Sequence, residues 1–301
     1  MEILKCDNLK KKIKDKTIVE NISFSIHSGD VIGLLGPNGA GKTTIIKLIL
    51  GLSKLTEGKV FIRGYDIEKD FVKAIDKVGA IVETPDSYMY LSGYDNLKIA
   101  ANNYKNISKE RIDEVVKLVG LDKRIKDKVS TYSLGMRQRL GIAEAIINNP
   151  EFLILDEPTN GLDIEGIIEV RELIQNLSKK GIAILISSHN LNEIDKLCNR
   201  IIIIKNGKLV SDDTIDNFKF PSTVNSHILE LDKLDDLENL DLGYSFDIIN
   251  KTTVRIHVSK ENLSEVLQKL IENSYQIYSV KEESFSSEEA FIKKVGENNI
   301  D

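Results

Sequence analysis

Short apolar runs alternate with segments of helical spacing along the first two thirds of the chain. Val31–Leu35, Phe152–Leu155 and Ile182–Ser187 are largely apolar and are bounded by turn residues, which is typical of buried strands. Thr43–Leu50 and Ile167–Leu177 instead place their apolar residues at helical intervals. Because buried strands that alternate with helices form parallel sheets, the pattern predicts an α/β fold with a parallel sheet.

The same pattern divides the chain into parts. Residues 85–150 are mainly helical in spacing, and we interpret them as a helical subdomain within a sheet domain that spans residues 1–211. Residues 212–226 include Pro221 and a polar run, which predicts a linker. Residues 227–301 predict a small α+β domain, with strands at 227–231, 244–249, 253–258 and 276–280 and helices at 263–271 and 288–294.

Composition excludes several classes of protein. The 301 residues carry a formal net charge of −6, and residues 211–301 hold 19 acidic but only 9 basic side chains, so we expect no nucleic-acid partner. Two cysteines without a Cys/His cluster indicate neither a zinc site nor a disulfide framework. No apolar stretch approaches the roughly 18 residues of a membrane span, and no apolar signal region follows Met1, so we expect a cytoplasmic chain.

A glycine-rich loop follows the first of these strand patterns and fits the spacing GxxxxGK[ST]. Its glycines let backbone N–H groups point at phosphate oxygens, and the helix that follows adds a positive dipole end. We expect Lys42 to contact the β- and γ-phosphates, Thr43 to hold Mg²⁺ and Thr44 to contact the α-phosphate. The predicted phosphate-binding loop consists of Gly36, Pro37, Asn38, Gly39, Ala40, Gly41, Lys42, Thr43 and Thr44.

Two acidic residues end the apolar pattern of Phe152–Leu155. A buried strand delivers such carboxylates to the metal-binding edge of the sheet, so Asp156 is a candidate Mg²⁺ ligand through water and Glu157 a candidate general base. His189 follows the strand pattern Ile182–Ser187 and can hydrogen-bond a γ-phosphate and the attacking water. A single histidine is more often structural, but the neighbouring motifs favour the catalytic interpretation.

The segment Tyr132–Arg139 carries the family resemblance. Ser133 and the N–H of Gly135 begin a predicted helix whose positive end can meet a γ-phosphate, although from these residues alone a plain helix cap is the simpler interpretation. Beside the phosphate loop and the acidic strand end, the segment resembles the signature motif of ABC transporter ATP-binding subunits. Leu134-Gly135 stands where the commonest form has two glycines. The resemblance covers about residues 2–210.

The resemblance implies the P-loop NTPase fold of the ABC ATPase class. This fold has a RecA-like parallel-sheet core, an antiparallel β subdomain and a helical subdomain. The resemblance also implies ATP and Mg²⁺ as cofactors, and a head-to-tail homodimer that encloses two ATP molecules between phosphate loop and signature motif. Asn160–Asp163 resembles the D-loop, which places Asp163 near the nucleotide at the dimer seam. A separate integral-membrane permease is the implied partner, with the chain peripheral on the cytoplasmic face of the membrane.

Two positions depart from the family's pattern. Ile13 replaces the aromatic residue that normally stacks on adenine, so we expect contact with the base without π-stacking and weaker or less selective adenine binding. Glu83 replaces the Q-loop glutamine; its carboxylate can accept from metal-bound water and is a candidate catalytic residue and Mg²⁺ ligand. Glu83, Leu91–Leu97 and the signature segment together resemble the bacitracin-resistance and lantibiotic-immunity type of ABC ATPase.

The expected function is that of the ATP-hydrolysing motor of an ABC exporter, which drives efflux of a drug or peptide antibiotic through the permease. The alternatives are a soluble ABC ATPase that acts on ribosomes or DNA, and an ABC motor for a different cargo, either an importer or an ion-efflux system. A single phosphate loop without a long heptad segment disfavours the soluble class. Glu83 disfavours an importer, because importer ATPases typically keep the glutamine.

Overall fold

The computed structural model describes residues 1–219, 226–234, 237, 240–259 and 261–282. These residues form two units, Met1–Ile215 and the described part of Asp216–Ile292. Residues 212–219, which we assigned to the linker, form the end of a strand and a short helix, because strand Lys208–Thr214 stays paired with its neighbour to its last residue. The domain limits at residues 211 and 227 remain a prediction. Of the helices described, none is long and apolar enough to cross a bilayer.

Two sheets and several helices make up the first unit. Its strands are β1 (Glu2–Ile13), β2 (Lys16–His27), β3 (Val31–Leu35), β4 (Glu57–Ile62), β5 (Tyr65–Asp66), β6 (Val78–Ile81), β7 (Phe152–Asp156), β8 (Ala183–Ser188), β9 (Arg200–Lys205) and β10 (Lys208–Thr214). Its helices are α1 (Lys42–Ile49), α2 (Phe71–Ile75), α3 (Gly93–Ala101), α4 (Lys109–Leu118), α5 (Leu134–Ile146), α6 (Ile164–Lys179) and α7 (Leu191–Leu197), and α8 (Ile215–Lys219) begins at its last residue.

The central sheet has the strand order β10-β9-β3-β8-β7-β6. All its neighbouring strands are parallel except β10, which returns antiparallel to β9 through a turn at Asn206 and Gly207 with φ values of 50° and 76°. Every residue of β3, β7 and β8 is buried, which explains why these strands are continuous apolar runs rather than alternating patterns. The predicted parallel α/β core is confirmed.

An antiparallel sheet with the order β2-β1-β4-β5 lies against the same core as the central sheet. The hydrophobic pattern alone did not predict β1 or β2, because register shifts between Leu9 and Lys12 interrupt the alternation of inward and outward residues. The hairpin is also linked to the glycine-rich loop through Gly207. The N–H of Glu20 in β2 donates to the carbonyl oxygen of Gly207 at 2.8 Å, and the N–H of Gly207 donates to the carbonyl oxygen of Ala40 at 2.9 Å.

Helices α3, α4 and α5 lie within residues 85–150, where we predicted a helical subdomain. The close approach of α5 to β6 and to the loop that follows it depends on two glycines. A Cβ atom on Gly79 would lie 2.1 Å from the carbonyl oxygen of Ala145, and one on Gly141 would lie 2.7 Å from the ring of Pro85. The helical subdomain is therefore packed directly against the segment that contains Glu83.

The second unit contains a four-stranded antiparallel sheet, one helix of its own and, at its start, residues 216–219 of α8. Its elements are β11 (His227–Leu231), β12 (Phe246–Ile248), β13 (Thr253–Ile256), α9 (Leu263–Glu272) and β14 (Ile277–Glu282), with the strand order β12-β13-β11-β14. Leu229, Val254, Val266 and Leu270 are fully buried in a core of its own. Each predicted element between residues 227 and 280 has a counterpart here, and the helix predicted at 288–294 lies outside the described residues.

Candidate functional site

The glycine-rich loop connects the buried strand β3 to helix α1. Gly39 and Gly41 have φ values of 80° and 108°, a conformation in which a side chain is strained, so the loop needs glycine at both positions. The Nζ atom of Lys42, at the first position of α1, donates to the carbonyl oxygen of Gly36 at 2.8 Å. Pro37, Asn38 and Gly39 are exposed, Ala40 is buried, and Thr44 is half-buried.

Asp156 at the end of β7 is held by two hydroxyl groups. Thr43 Oγ1 donates to Asp156 Oδ2 at 3.0 Å, and Ser187 Oγ donates to Asp156 Oδ1. Asp156 and Ser187 are directly paired residues of the neighbouring strands β7 and β8, which explains the contact. Asp156 is 3% exposed, so its carboxylate has a fixed position beside the first turn of α1.

Glu157 lies between a lysine and a histidine. Its Oε1 atom is 3.4 Å from Lys42 Nζ, and its Oε2 atom is 2.8 Å from His189 Nδ1. Its φ of 49° is uncommon for a residue other than glycine, and its N–H donates to Ser187 Oγ at 2.9 Å. Backbone strain of this kind is typical of functional sites, where surrounding contacts hold the residue in place.

Glu83 lies at the exposed edge of the same cavity. The cavity has a volume of about 540 Å³, and its lining includes Thr43, Glu83, Asp156, Glu157, Arg137 and Gln138. Glu83 Oε1 is 2.8 Å from Lys47 Nζ, and this hydrogen bond and the lysine charge lower the pKa of Glu83 below its ordinary value. The structure thus brings Thr43 of the glycine-rich loop, Asp156, Glu157 and Glu83 to one cavity.

The signature segment begins α5 beside the start of α6. Ser133 Oγ accepts from the N–H of Met136 at 3.2 Å, and Asp163 Oδ1 accepts from the N–H of Gly166 at 2.9 Å, so both side chains cap helices. A Cβ atom on Gly135 would lie 3.6 Å from the Cα of Gly166, which places the two helix N-termini next to each other. Ser133, Gly135 and Asp163 thus form one polar edge at the adjoining N-terminal ends of α5 and α6.

Oxygen ligands at this site suit Mg²⁺ that is bound together with a nucleotide. No group of three or more His, Cys, Asp or Glu side chains in the described ranges could hold a metal ion by itself. Thr43 and Asp156 provide a hydroxyl and a carboxylate 3.0 Å apart. Because Mg²⁺ is usually held by one or two such groups together with substrate phosphates, these residues fit the ion.

Comparison with known proteins decides the family. The sequence model of the ABC transporter family matches residues 19–160, which include the glycine-rich loop, the signature segment and both acids. The ABC transporter ATP-binding protein YhcH of Bacillus subtilis (strain 168) is 44% identical, over 98% of this chain and 96% of the relative. The chain belongs to the ATP-binding subunits of ABC transporters. Membership makes this subunit a nucleotide-binding ATPase.

Two further known proteins match this chain over nearly their whole length. The bacitracin transport ATP-binding protein BcrA of Bacillus licheniformis is 36% identical to this ABC subunit, over 99% of each chain. A solved dimeric structure of a bacterial ABC transporter cassette superposes with a TM-score of 0.64 at 26% identity, over 71% of this chain and 99% of the solved chain. The ABC ATPase fold that we predicted is confirmed.

Ile13, the predicted adenine contact of the ABC subunit, is the last residue of β1 and is 52% exposed. The hairpin to which it belongs lies against the phosphate loop, because a Cβ atom on Gly41 would be 3.1 Å from the carbonyl oxygen of Ile18. The position of Ile13 leaves its apolar side chain open to a ligand, and its contact with adenine stays a prediction.

Sequence reasoning did not single out Ser187 or Lys47 in this ABC subunit. Ser187 contacts both Asp156 and Glu157, and a signal for it was present: it is one of two polar residues that end the apolar strand β8. Lys47 follows Thr43 by four residues on α1 and therefore lies on the same face of the helix. Its pairing with Glu83 depends on the approach of a segment 36 residues away.

Proposed function

We propose that this subunit binds ATP with Mg²⁺ in the cavity beside the glycine-rich loop and drives the export of a drug or peptide antibiotic through a separate membrane permease. The observation that carries the catalytic part is the position of Glu157, whose two carboxylate oxygens face Lys42 and His189. A carboxylate held next to a phosphate-binding lysine and a histidine is placed to act on water near a terminal phosphate.

The phosphate-binding part of the proposal rests on Gly36–Thr44. The loop's N–H groups and the N-terminus of α1 bind the phosphates, and Lys42 neutralises charge on the β- and γ-phosphates. Thr43 would hold Mg²⁺ through its hydroxyl and Asp156 through water, and Glu83 lies at the exposed edge of the same cavity. When bound, Mg²⁺ offsets the charge that develops on the transferred phosphoryl group.

The hydrolytic part of the proposal assigns proton transfer to Glu157. Its carboxylate accepts a proton from water that attacks the γ-phosphate in line with the leaving oxygen. His189 donates a hydrogen bond that orients Glu157 or the γ-phosphate, and the strained backbone at Glu157 keeps the carboxylate in the cavity.

The assembly that we propose is a head-to-tail homodimer. In one chain, the edge formed by Ser133, Gly135 and Asp163 is the N-terminal end of two helices, which favours an anionic ligand. A second copy supplies that ligand when its own phosphate loop carries ATP. The dimeric cassette structure that superposes on this chain supports such an arrangement.

The export part of the proposal rests on relatives. BcrA, which matches over the full chain, is named for bacitracin transport, and Glu83 agrees with that branch of the family. We therefore place the subunit on the cytoplasmic face of the membrane, bound to a permease. An importer, an ion-efflux system or a ribosome- or DNA-directed ATPase would keep the same nucleotide chemistry with a different partner.

Replacing Glu157 with glutamine tests the catalytic part. We expect Glu157→Gln to lower kcat for ATP hydrolysis by at least about 100-fold, because the general base is lost while the shape of the site is kept. MgATP binding should persist, and the variant should elute as a dimer in MgATP on gel filtration.

The matched control is Glu172→Gln, which makes the same change at an exposed position of α6 and should leave hydrolysis unchanged. A Glu157→Gln variant that still turns over ATP at the wild-type rate would exclude Glu157 as the base. A variant that binds MgATP but stays monomeric would contradict the shared-nucleotide dimer.

A further inference from the structure

Lys47 is a basic residue of α1 that the proposed chemistry does not use. It follows Thr43, which lines the cavity, by four residues, so the two side chains lie on the same face of the helix. Its Nζ atom is 2.8 Å from Glu83 Oε1. Glu83 itself has a φ of 65°, so a left-handed backbone conformation, uncommon for glutamate, directs this carboxylate.

The charges around the cavity give this contact its significance. Three carboxylates line the cavity, those of Glu83, Asp156 and Glu157, together with one cationic side chain, that of Arg137. Lys42 Nζ lies 3.4 Å from Glu157 Oε1. Asp156 accepts hydrogen bonds from the hydroxyl groups of Thr43 and Ser187 next to the proposed Mg²⁺ position. Lys47 is therefore the lysine that compensates Glu83. Of the three carboxylates, Glu83 is the one that stands where the wider family has a neutral glutamine. A triphosphate that enters the cavity brings further negative charge, which an uncompensated carboxylate repels.

We propose that Lys47 is a positioning residue for nucleotide binding, which holds the Glu83 carboxylate at the exposed rim of the cavity and compensates its charge when MgATP binds. The inference rests on the proposed nucleotide site and adds a residue to it. It also explains how this chain accommodates a glutamate beside the triphosphate. The negative charge that Glu83 adds in place of a glutamine is compensated by Lys47, one helical turn beyond Thr43.

The expected effect is modest because the pair is partly exposed. The side chains of Lys47 and Glu83 are 40% and 65% exposed, so solvent screens their interaction. Exposed ion pairs typically change an equilibrium constant by about twofold to fivefold, and we expect a change of that size in the dissociation constant for nucleotide.

The test is a double-mutant cycle on the full-length chain, with equilibrium binding of the non-hydrolysable analogue AMP-PNP in the presence of Mg²⁺ as the readout. Lys47→Gln should weaken binding about twofold to fivefold at low salt, and the loss should shrink as salt is raised. In the Glu83→Gln background, Lys47→Gln should have no further effect, because the carboxylate that Lys47 compensates is gone. Lys47→Arg should bind like the wild type.

The control for net charge is Lys98→Gln, which removes a lysine from an exposed ion pair with Asp95 on α3, outside the cavity. It should not change binding. Unchanged or tighter binding by Lys47→Gln, or an equal loss in the Glu83→Gln background, would overturn the inference. Wild-type chain that does not bind AMP-PNP at all would instead contradict the proposed nucleotide site.

Discussion

At the scale of single residues, two glutamates show how surroundings set the properties of one side-chain type. Glu83 is exposed and pairs with Lys47, which lowers its pKa. Glu144 on α5 is half-buried in a cleft that Asp86 and Tyr104 also line, and its carboxylate accepts a hydrogen bond from Ser87 Oγ at 3.3 Å. Burial raises the pKa of Glu144 to about 7, because desolvation disfavours its charged form.

This burial predicts a specific dependence of stability on pH. Between its ordinary pKa of 4.5 and about 7, Glu144 holds more proton in the folded chain than in the unfolded chain. The free energy of unfolding should therefore fall as pH rises through this window, by up to about 3 kcal/mol from this group. Glu144→Gln should remove that contribution, as measured by urea unfolding at pH 5 and pH 8.

The control is Glu110→Gln on α4, where an exposed glutamate has a lowered pKa because its carboxylate accepts hydrogen bonds from the helix start and Ser108. That variant should keep the fall in stability between pH 5 and pH 8. If Glu144→Gln and the wild type lose equal stability over this range, Glu144 does not have the raised pKa.

At the scale of elements, the helices of the first unit begin at residues that their sequences mark. Ser108 immediately precedes α4, and its Oγ accepts from the N–H of Arg111 at 3.3 Å. Ser133 makes the equivalent bond to Met136 at 3.2 Å at the start of α5. The two serines are thus alike as caps, and they differ in that Ser133 belongs to the proposed ATP-binding edge of the dimer.

This similarity gives a matched pair of variants. Ser108→Ala and Ser133→Ala should each lower the free energy of unfolding by about 1 kcal/mol, because each leaves a helix N–H without its side-chain acceptor. Only Ser133→Ala should also lower kcat for ATP hydrolysis, by about tenfold or more, since it loses a contact to the partner's nucleotide. Thermal unfolding and steady-state ATPase assays measure the two effects.

If Ser133→Ala loses stability but hydrolyses ATP as fast as Ser108→Ala, the serine is a helix cap and nothing more. The pair therefore separates the two interpretations that the sequence left open. The capping geometry was predictable because it depends on residues within one turn. A role across two chains depends on an assembly that a single chain's pattern does not describe.

At the scale of the whole molecule, the proposed nucleotide chemistry lies in the first unit, and the second unit has a separate core. The cavity, the phosphate loop and both acids all belong to Met1–Ile215. The second unit, with its own antiparallel sheet and buried leucines, adds none of the residues that we assign to ATP. Under the export proposal, we expect coupling to the permease to involve the first unit, where the helical subdomain packs against the segment of Glu83.

The export proposal predicts a membrane partner in the native cell. We expect the tagged chain, purified from solubilised membranes, to bring down a permease with several membrane spans in stoichiometric amount, identified by mass spectrometry. Purification from the ribosomal and nucleic-acid fractions serves as the control. Enrichment of ribosomes or DNA instead of a permease would contradict export and leave the ATPase chemistry intact.

The amino-acid sequence by itself determined the family, the parallel core and the glycine-rich loop between β3 and α1. These features are local: a buried strand, a glycine spacing or an acidic strand end is encoded in a few consecutive residues, as in Val31–Leu35 and Asp156–Glu157. Gly39 and Gly41, which have positive φ in the loop, are equally visible in the sequence. Strands β1 and β2 were not visible in the sequence, because bulges interrupt the alternation of apolar and polar residues along them.

Only the tertiary structure decided which side chains meet. Ser187 reaches Asp156 because β7 and β8 are paired in one register, and Lys47 reaches Glu83 because α1 and the end of β6 come together. The raised pKa of Glu144 likewise depends on how α5 packs against β6. Strand pairing, helix packing and desolvation join residues far apart in the chain, and a one-dimensional pattern does not specify those distances.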